Sequence, residues 1–336
     1  MKQASNNMLN NLNNNLFNNR FCKRSFAKLA IGCVAALLGT VALALALAQA
    51  TAPVRVGSKI DTEGKLLGNM MVLALEANGI KTQSKLSLGN TQVMRGAITA
   101  GEIDIYPEYT GNGAFIFGEE KSPVWNNLQA GYERVKRLDM AKNKIVWLQP
   151  APANNTWTIA VRKDVAAANK LVTLADLSTW LAGSGSKPGQ FKLAASAEFV
   201  ERPDALPAFQ AAYKFKLKPE QLLSLAGGDT AVTIRAAYDK TSGVNAAMAY
   251  GTDGAVTALG LVILEDPQGV QPVYAPAPAV REDTLQKNPK IAEVLAPVFK
   301  LLDRATLQSL NAKIQLEGQD AKKVAGDFLK SKGLLK

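Results

Sequence analysis

Between Gly101 and Gly113 the chain reads GEIDIYPEYTGNG. Tyr106 and Tyr109 and the carboxylates Asp104 and Glu108 fall close together there. Ile103 and Ile105 alternate with Asp104 and Tyr106, which predicts a short buried strand. Pro107 has no N–H for a ladder and is expected to end it. Gly111 and Gly113 then call for a tight turn just past the strand's carboxyl end. In an open α/β sheet that edge is where ligands bind, and loops held by a rigid scaffold carry binding residues. Ordinary tyrosine packing in a surface turn is the alternative.

The rest of the composition narrows the chemistry. The chain has 336 residues and no histidine. That argues against Ser-His and Cys-His catalysis and against His-metal sites. Its cysteines are Cys22 and Cys33. If the segment holding them is removed, no thiol, disulfide or thiolate metal site remains, so neither a metal nor a cofactor is expected. An enzyme built from Lys, Asp, Glu, Ser or Tyr stays open as an alternative. The formal charge is +11. Residues 1–50 hold five bases and no acid, and without them 34 basic side chains face 28 acidic ones. No basic run resembles a nucleic-acid arm, so the excess reads as a solvated surface and no nucleic-acid partner is expected.

Residues 6–19 are rich in Asn and read as a low-complexity extension. Arg20, Lys23, Arg24 and Lys28 precede an apolar run from Leu29 to Ala48, which ends in Ala48-Gln49-Ala50. Positive, apolar and A-x-A regions in that order describe a secretory signal peptide over 1–50, with a mature chain from Thr51. An uncleaved anchor, or lipidation at Cys33, is the alternative. Each places the remainder outside the cytoplasmic membrane, the first of them in the periplasm.

From Val54 the pattern is β-α-β-α-β: a strand at 54–58, a helix from Thr62 to Asn78-Gly79, a strand at 81–88, a short helix capped by Thr91, and the strand described above. This predicts an α/β fold of the doubly wound class. A helix at 124–141 and a strand at 144–148 follow, and then Gln149 to Asn155 break the regular structure. Beyond them come a strand from Trp157, a helix at 174–182, a strand at 192–199, helices near 204–214 and 229–241, and strands at 245–250 and 261–264. The breaks at 149–155 and 251–260 predict two lobes with two crossings. Lobe I takes 51–154 plus 256–336 and lobe II takes 155–255, with a ligand cleft and hinge between them. The loop GSGSKPG at 183–189 matches no phosphate-binding pattern.

Several motifs resemble one family over nearly all of 54–335. They are Gly57-Ser58-Lys59 with Thr62-Glu63, the block from Gly101 to Gly113, Asn154-Asn155-Thr156-Trp157, Glu198-Phe199 with Arg202, and Tyr250-Gly251-Thr252-Asp253-Gly254. The chain resembles the glycine betaine/choline-binding proteins of osmoprotectant ABC importers, and Gly111 to Phe115 is similar to the OsmF-like branch. The resemblance implies a type II periplasmic binding-protein fold and a monomer. It also implies a quaternary ammonium ligand, permease subunits as partners, and no enzymatic activity. It implies an aromatic cage at Tyr109, Trp157, Tyr250 and Tyr274. For the ligand's carboxylate and polar end it points to Lys59, Asn112 and Arg202. Asn155 stands where some relatives have Asp.

The physics agrees with an aromatic cage. A trimethylammonium donates no hydrogen bond, whereas ring faces attract its charge and replace the water around its methyl groups. Each ring contributes about 0.5–2 kcal/mol. A binding protein for another zwitterion, such as an amino acid, is the alternative. Its ammonium would want converging carboxylates, and no carboxylate cluster is obvious in the sequence.

Overall fold

A computed structural model describes residues 52–335. The expectations for residues 1–50, including cleavage after Ala50 and the roles of Cys22 and Cys33, lie outside the described residues. Among the described residues no helix is long and apolar enough to cross a membrane.

Among the described residues, ten strands form two sheets of five. The first is ordered β2 (Thr82–Gly89), β1 (Val54–Lys59), β3 (Ile105–Tyr109), β10 (Pro276–Arg281) and β4 (Ile145–Trp147). The second is ordered β7 (Leu222–Leu225), β6 (Leu193–Ser196), β8 (Ala246–Tyr250), β5 (Trp157–Arg162) and β9 (Leu261–Ile263). In each, three strands run parallel, and the fourth in order is antiparallel to both its neighbours. The antiparallel strands are β10 and β5, the first strand laid down after each crossing. A strand entering from the other half arrives at the cleft edge and runs away from it, which reverses its direction.

Helix formation follows local signals. The helix Thr62–Ala77 starts at Asp61, whose side chain accepts from the Gly64 amide at 2.7 Å. It buries Leu66, Leu67, Met70, Met71 and Leu75, the 3.6-residue face the sequence shows. The helix Thr91–Thr99 is capped by Asn90, whose side chain accepts from the Val93 amide; Thr91, the expected cap, is its first residue.

Four other expectations are corrected. Pro107 lies inside β3, opposite Pro278 of β10. Leu148 donates to the Pro278 carbonyl at 2.9 Å, so Pro278 turns its amide edge toward β4. On the other side β1 pairs with β3 at Ile105, before Pro107 is reached. The ladder therefore asks neither proline for an N–H. The strand expected at 192–199 stops at Ser196, which caps the helix Ala197–Glu201, so Glu198 and Phe199 are helical. β7 was not foreseen. The return crossing lies between Ile263 and Pro276, later than 251–260, because Leu261, Val262 and Ile263 pair with β5 of the second sheet.

Candidate functional site

The topology converges on one cleft. Parallel strands β1, β3 and β8 end at Lys59, Tyr109 and Tyr250. Antiparallel β5 begins at Trp157, directly opposite Tyr250, and Tyr274 precedes β10, whose Pro276 faces Tyr109. The carboxyl ends of the parallel strands and the amino ends of the antiparallel ones thus share an edge, and both sheets present that edge to the same space. Lys59, Tyr109, Asn112, Asn155, Trp157, Tyr250 and Tyr274 all line this one cleft.

Three rings form a contiguous wall. Trp157 lies 6.4 Å from Tyr250, tilted by 22°, and 5.6 Å from Tyr274 at 61°. Phe199 packs edge-on behind Trp157 at 5.7 Å. Tyr109 lines the cleft apart from these ring pairs, and its hydroxyl donates to Glu63 at 3.0 Å. Burial keeps the Tyr109, Tyr250 and Tyr274 hydroxyls well above the usual phenol range, so they stay neutral with their ring faces intact. The Trp157 indole N–H is buried with no acceptor among the described residues.

Gly111 holds Tyr274 close. A Cβ there would come within 2.9 Å of both the Tyr274 ring and the Pro272 side chain. The glycine permits close approach and does not supply a positive-φ turn, since its φ is −63°.

The polar residues are interlocked. Lys59 places its ammonium 2.8 Å from Glu108, 3.1 Å from the Thr91 hydroxyl and 4.9 Å from the Tyr109 ring centre. Glu108 is fully buried and also accepts from the Tyr106 hydroxyl and from the Tyr109 and Asn112 amides. Burial pushes the Glu108 carboxyl up, but Lys59 and these donors outweigh it and hold the group below the usual range. Asn112 donates to Glu108 and accepts from Arg202 at 2.9 Å, linking the two halves. Asn155 donates to Glu63 at 2.7 Å.

Arg202 does not line the cleft. Its guanidinium lies behind the wall, 4.4 Å from both the Phe115 and Trp157 ring centres. It is held by Asp204 through two hydrogen bonds and by Glu198 at 3.0 Å.

Carboxylates do converge here, contrary to the sequence reading. Asp61 and Glu198 line the cleft. Glu63 is buried just behind, accepting also from Asn311 of the helix Arg304–Gln315 at 2.7 Å. With Glu108 these acids come from three separate segments, so no single stretch announces them. The available signal was their adjacency to quoted positions: Asp61 and Glu63 follow Lys59, Glu108 precedes Tyr109, and Glu198 precedes Phe199. Among the described residues no group of three or more acids or cysteines is arranged to hold a metal ion.

Comparison with known proteins places this geometry. Residues 52–331 match the family model described as the substrate binding domain of an ABC-type glycine betaine transport system. The chain is 65% identical to a glycine betaine-binding protein, YehZ of Escherichia coli strain K12, over 89% of this chain and 96% of that one. A solved structure of apo YehZ from the same organism superposes with a TM-score of 0.62 at 66% identity, covering 84% of this chain and 100% of that one. A crystal structure of a glycine betaine/carnitine/choline ABC transporter protein shares the fold, with a TM-score of 0.64 at 20% identity over 84% of this chain and all of the other.

Proposed function

The chain belongs to the family of substrate-binding domains of ABC-type glycine betaine transport systems, and from that premise we propose that it captures a quaternary ammonium solute in the cleft between its two sheets. As a member of that family it is an extracytoplasmic binding protein of an importer, with the type II periplasmic binding-protein fold, and not an enzyme. In this reading Trp157, Tyr250 and Tyr274 form one wall for the trimethylammonium head and Tyr109 faces them as the fourth ring. Lys59 and Asn112 mark the polar end. Asn155 fixes Glu63, and Arg202 stiffens the wall from behind by stacking on Trp157. Glycine betaine, choline or a close relative is the ligand. The protein works as a periplasmic monomer that hands the ligand to the permease.

The observation that carries the reading is the wall itself. Rings from β5, β8 and the segment before β10 meet at one edge and stay uncharged, and ring faces are what a cation without N–H groups can use. The large tyrosine pKa rise keeps this true across the physiological pH range. A fluorescence titration with glycine betaine, choline, carnitine and glycine tests it, because Trp157 reports on the cleft. Saturable quenching or a spectral shift with the methylated solutes is expected. A flat response to all of them would contradict the proposal.

A further inference from the structure

Arg202 joins the two halves of the molecule. Its Nε and one terminal nitrogen reach Asp204 at 2.7 and 2.6 Å, and the other terminal nitrogen reaches Glu198 at 3.0 Å. These carboxylates belong to its own half, on the segment that follows β6. Two more contacts come from the other half, both from the short helix Asn112–Phe117 that follows β3. Asn112 accepts from Arg202 at 2.9 Å, and the Phe115 ring centre lies 4.4 Å from the guanidinium. The Trp157 ring centre lies 4.4 Å from the same guanidinium. One buried cation is thus shared between a ring of the first half and the central ring of the wall.

The helix that presents Phe115 is firmly seated. Ala114 is buried, and a Cβ at Gly113 would come within 2.5 Å of the Trp125 ring, so the backbone lies directly on that indole. Gly118 ends the helix in the left-handed conformation, at φ 67°. Phe115 itself is half-buried and faces a groove beside the cleft, which it shares with Asn90, Glu198 and Arg202. It is not among the described residues that line the ligand cleft.

When the halves part, Arg202 keeps Asp204, Glu198 and Trp157 and loses Asn112 and Phe115. Water replaces the hydrogen bond to Asn112. It replaces the ring less well, because a guanidinium is weakly hydrated and stacks readily on aromatic faces. We infer that Phe115 is a positioning residue for ligand capture, clasping Arg202 across the cleft and so holding the two halves together over the ligand. The inference rests on the quaternary ammonium reading above and adds the contact that favours closure. Phe115 touches no ligand and acts only on the balance between parted and closed halves. The apparent affinity of every solute held by the closed form scales with the closed population. A cation–π contact of this kind shifts that population by about fivefold.

Calorimetric titration with glycine betaine and with choline, on the unmodified protein and on Phe115→Leu and Phe115→Tyr, tests the inference. Leucine keeps an apolar side chain without a ring face, and tyrosine keeps the ring. Phe115→Leu is expected to weaken both solutes by the same factor, about fivefold. Phe115→Tyr is expected to bind both nearly as the unmodified protein does. Melting of each variant without ligand separates lost closure from lost folding, and Phe115→Leu is expected to melt close to the unmodified protein. Undiminished binding by Phe115→Leu overturns the inference, as does a loss no smaller in Phe115→Tyr. Weakening of one solute alone also overturns it, because that places Phe115 against the ligand. A deficit matched by an equal loss of folded protein assigns the residue to stability and overturns it too. In all these cases the quaternary ammonium reading stands. If the unmodified protein binds neither solute, that reading fails and the inference fails with it.

Discussion

Removing the Lys59 ammonium would leave Glu108 fully buried with only neutral donors. Breaking one side of such a pair typically costs about 3–5 kcal/mol, because the remaining charge has lost its compensation. Lys59→Ala should therefore destabilise the fold by roughly that amount at pH 7.5. The sign of the pH effect follows from the depressed Glu108 pKa. In the unmodified protein its contribution is present above the pKa of an unfolded glutamate and lost as pH falls through the lower folded value. In Lys59→Ala the same carboxyl is driven up, so protonation relieves part of the cost and the gap from the unmodified protein narrows toward pH 5. Urea midpoints at the two pH values measure this; an unchanged midpoint at pH 7.5 would show that the pair is not what satisfies Glu108.

At the scale of elements, the fold places the site where two kinds of strand end share an edge. The β-α-β-α-β order from Val54 was legible because the apolar spacing switches between periods of two and 3.6 where the elements change. The ring positions were legible through motif resemblance, since Tyr109, Trp157 and Tyr250 each sit beside a strand terminus. What stayed hidden depended on partners far along the chain. Pro107 reads as a strand stop until Pro278, 171 residues later, is seen to face it. Leu261 to Ile263 read as part of the first lobe until they pair with β5. The converging acids were hidden for the same reason, and so was Asn311, which reaches Glu63 from near the carboxyl terminus.

Asp253 ties the end of β8 to two helices in the same way. It accepts from the Tyr250 amide at 2.7 Å, from Thr230 at 2.9 Å and from Gln315 at 2.8 Å. Burial nevertheless raises its carboxyl to about 7. The folded state then holds a proton that the unfolded state has released, so this group's contribution to stability falls as pH rises from about 4 to 7. Asp253→Asn should flatten that part of the stability profile, by roughly 1–4 kcal/mol across the window. Thermal melts from pH 4.5 to 8 would show it, and an unaltered profile in the variant would assign the dependence elsewhere.

Over the whole molecule, the halves touch through side chains as well as through the two crossings. Arg202 donates to Asn112 at 2.9 Å, and Thr62 donates to Asp229 at 3.1 Å. The residues proposed for the cage are drawn from both sheets and can meet a ligand together only when these faces are close. Two crossings allow hinge motion. Small-angle scattering should give a smaller radius of gyration with saturating ligand than without, and an unchanged radius would count against large closure.

Recognition of a methylated ammonium by aromatic faces is tested most directly by calorimetry on Trp157 variants. Glycine shares the carboxylate of glycine betaine but has a small, strongly hydrated ammonium, so the wall gains no methyl contacts and desolvation costs more. Trimethylammonium solutes should bind much more tightly than glycine. Trp157→Ala should weaken their binding by about 1–2 kcal/mol, roughly tenfold or somewhat more, while Trp157→Tyr should change it little. Glycine binding as tightly as glycine betaine, or Trp157→Ala leaving the affinity for methylated solutes intact, would contradict recognition by the aromatic wall.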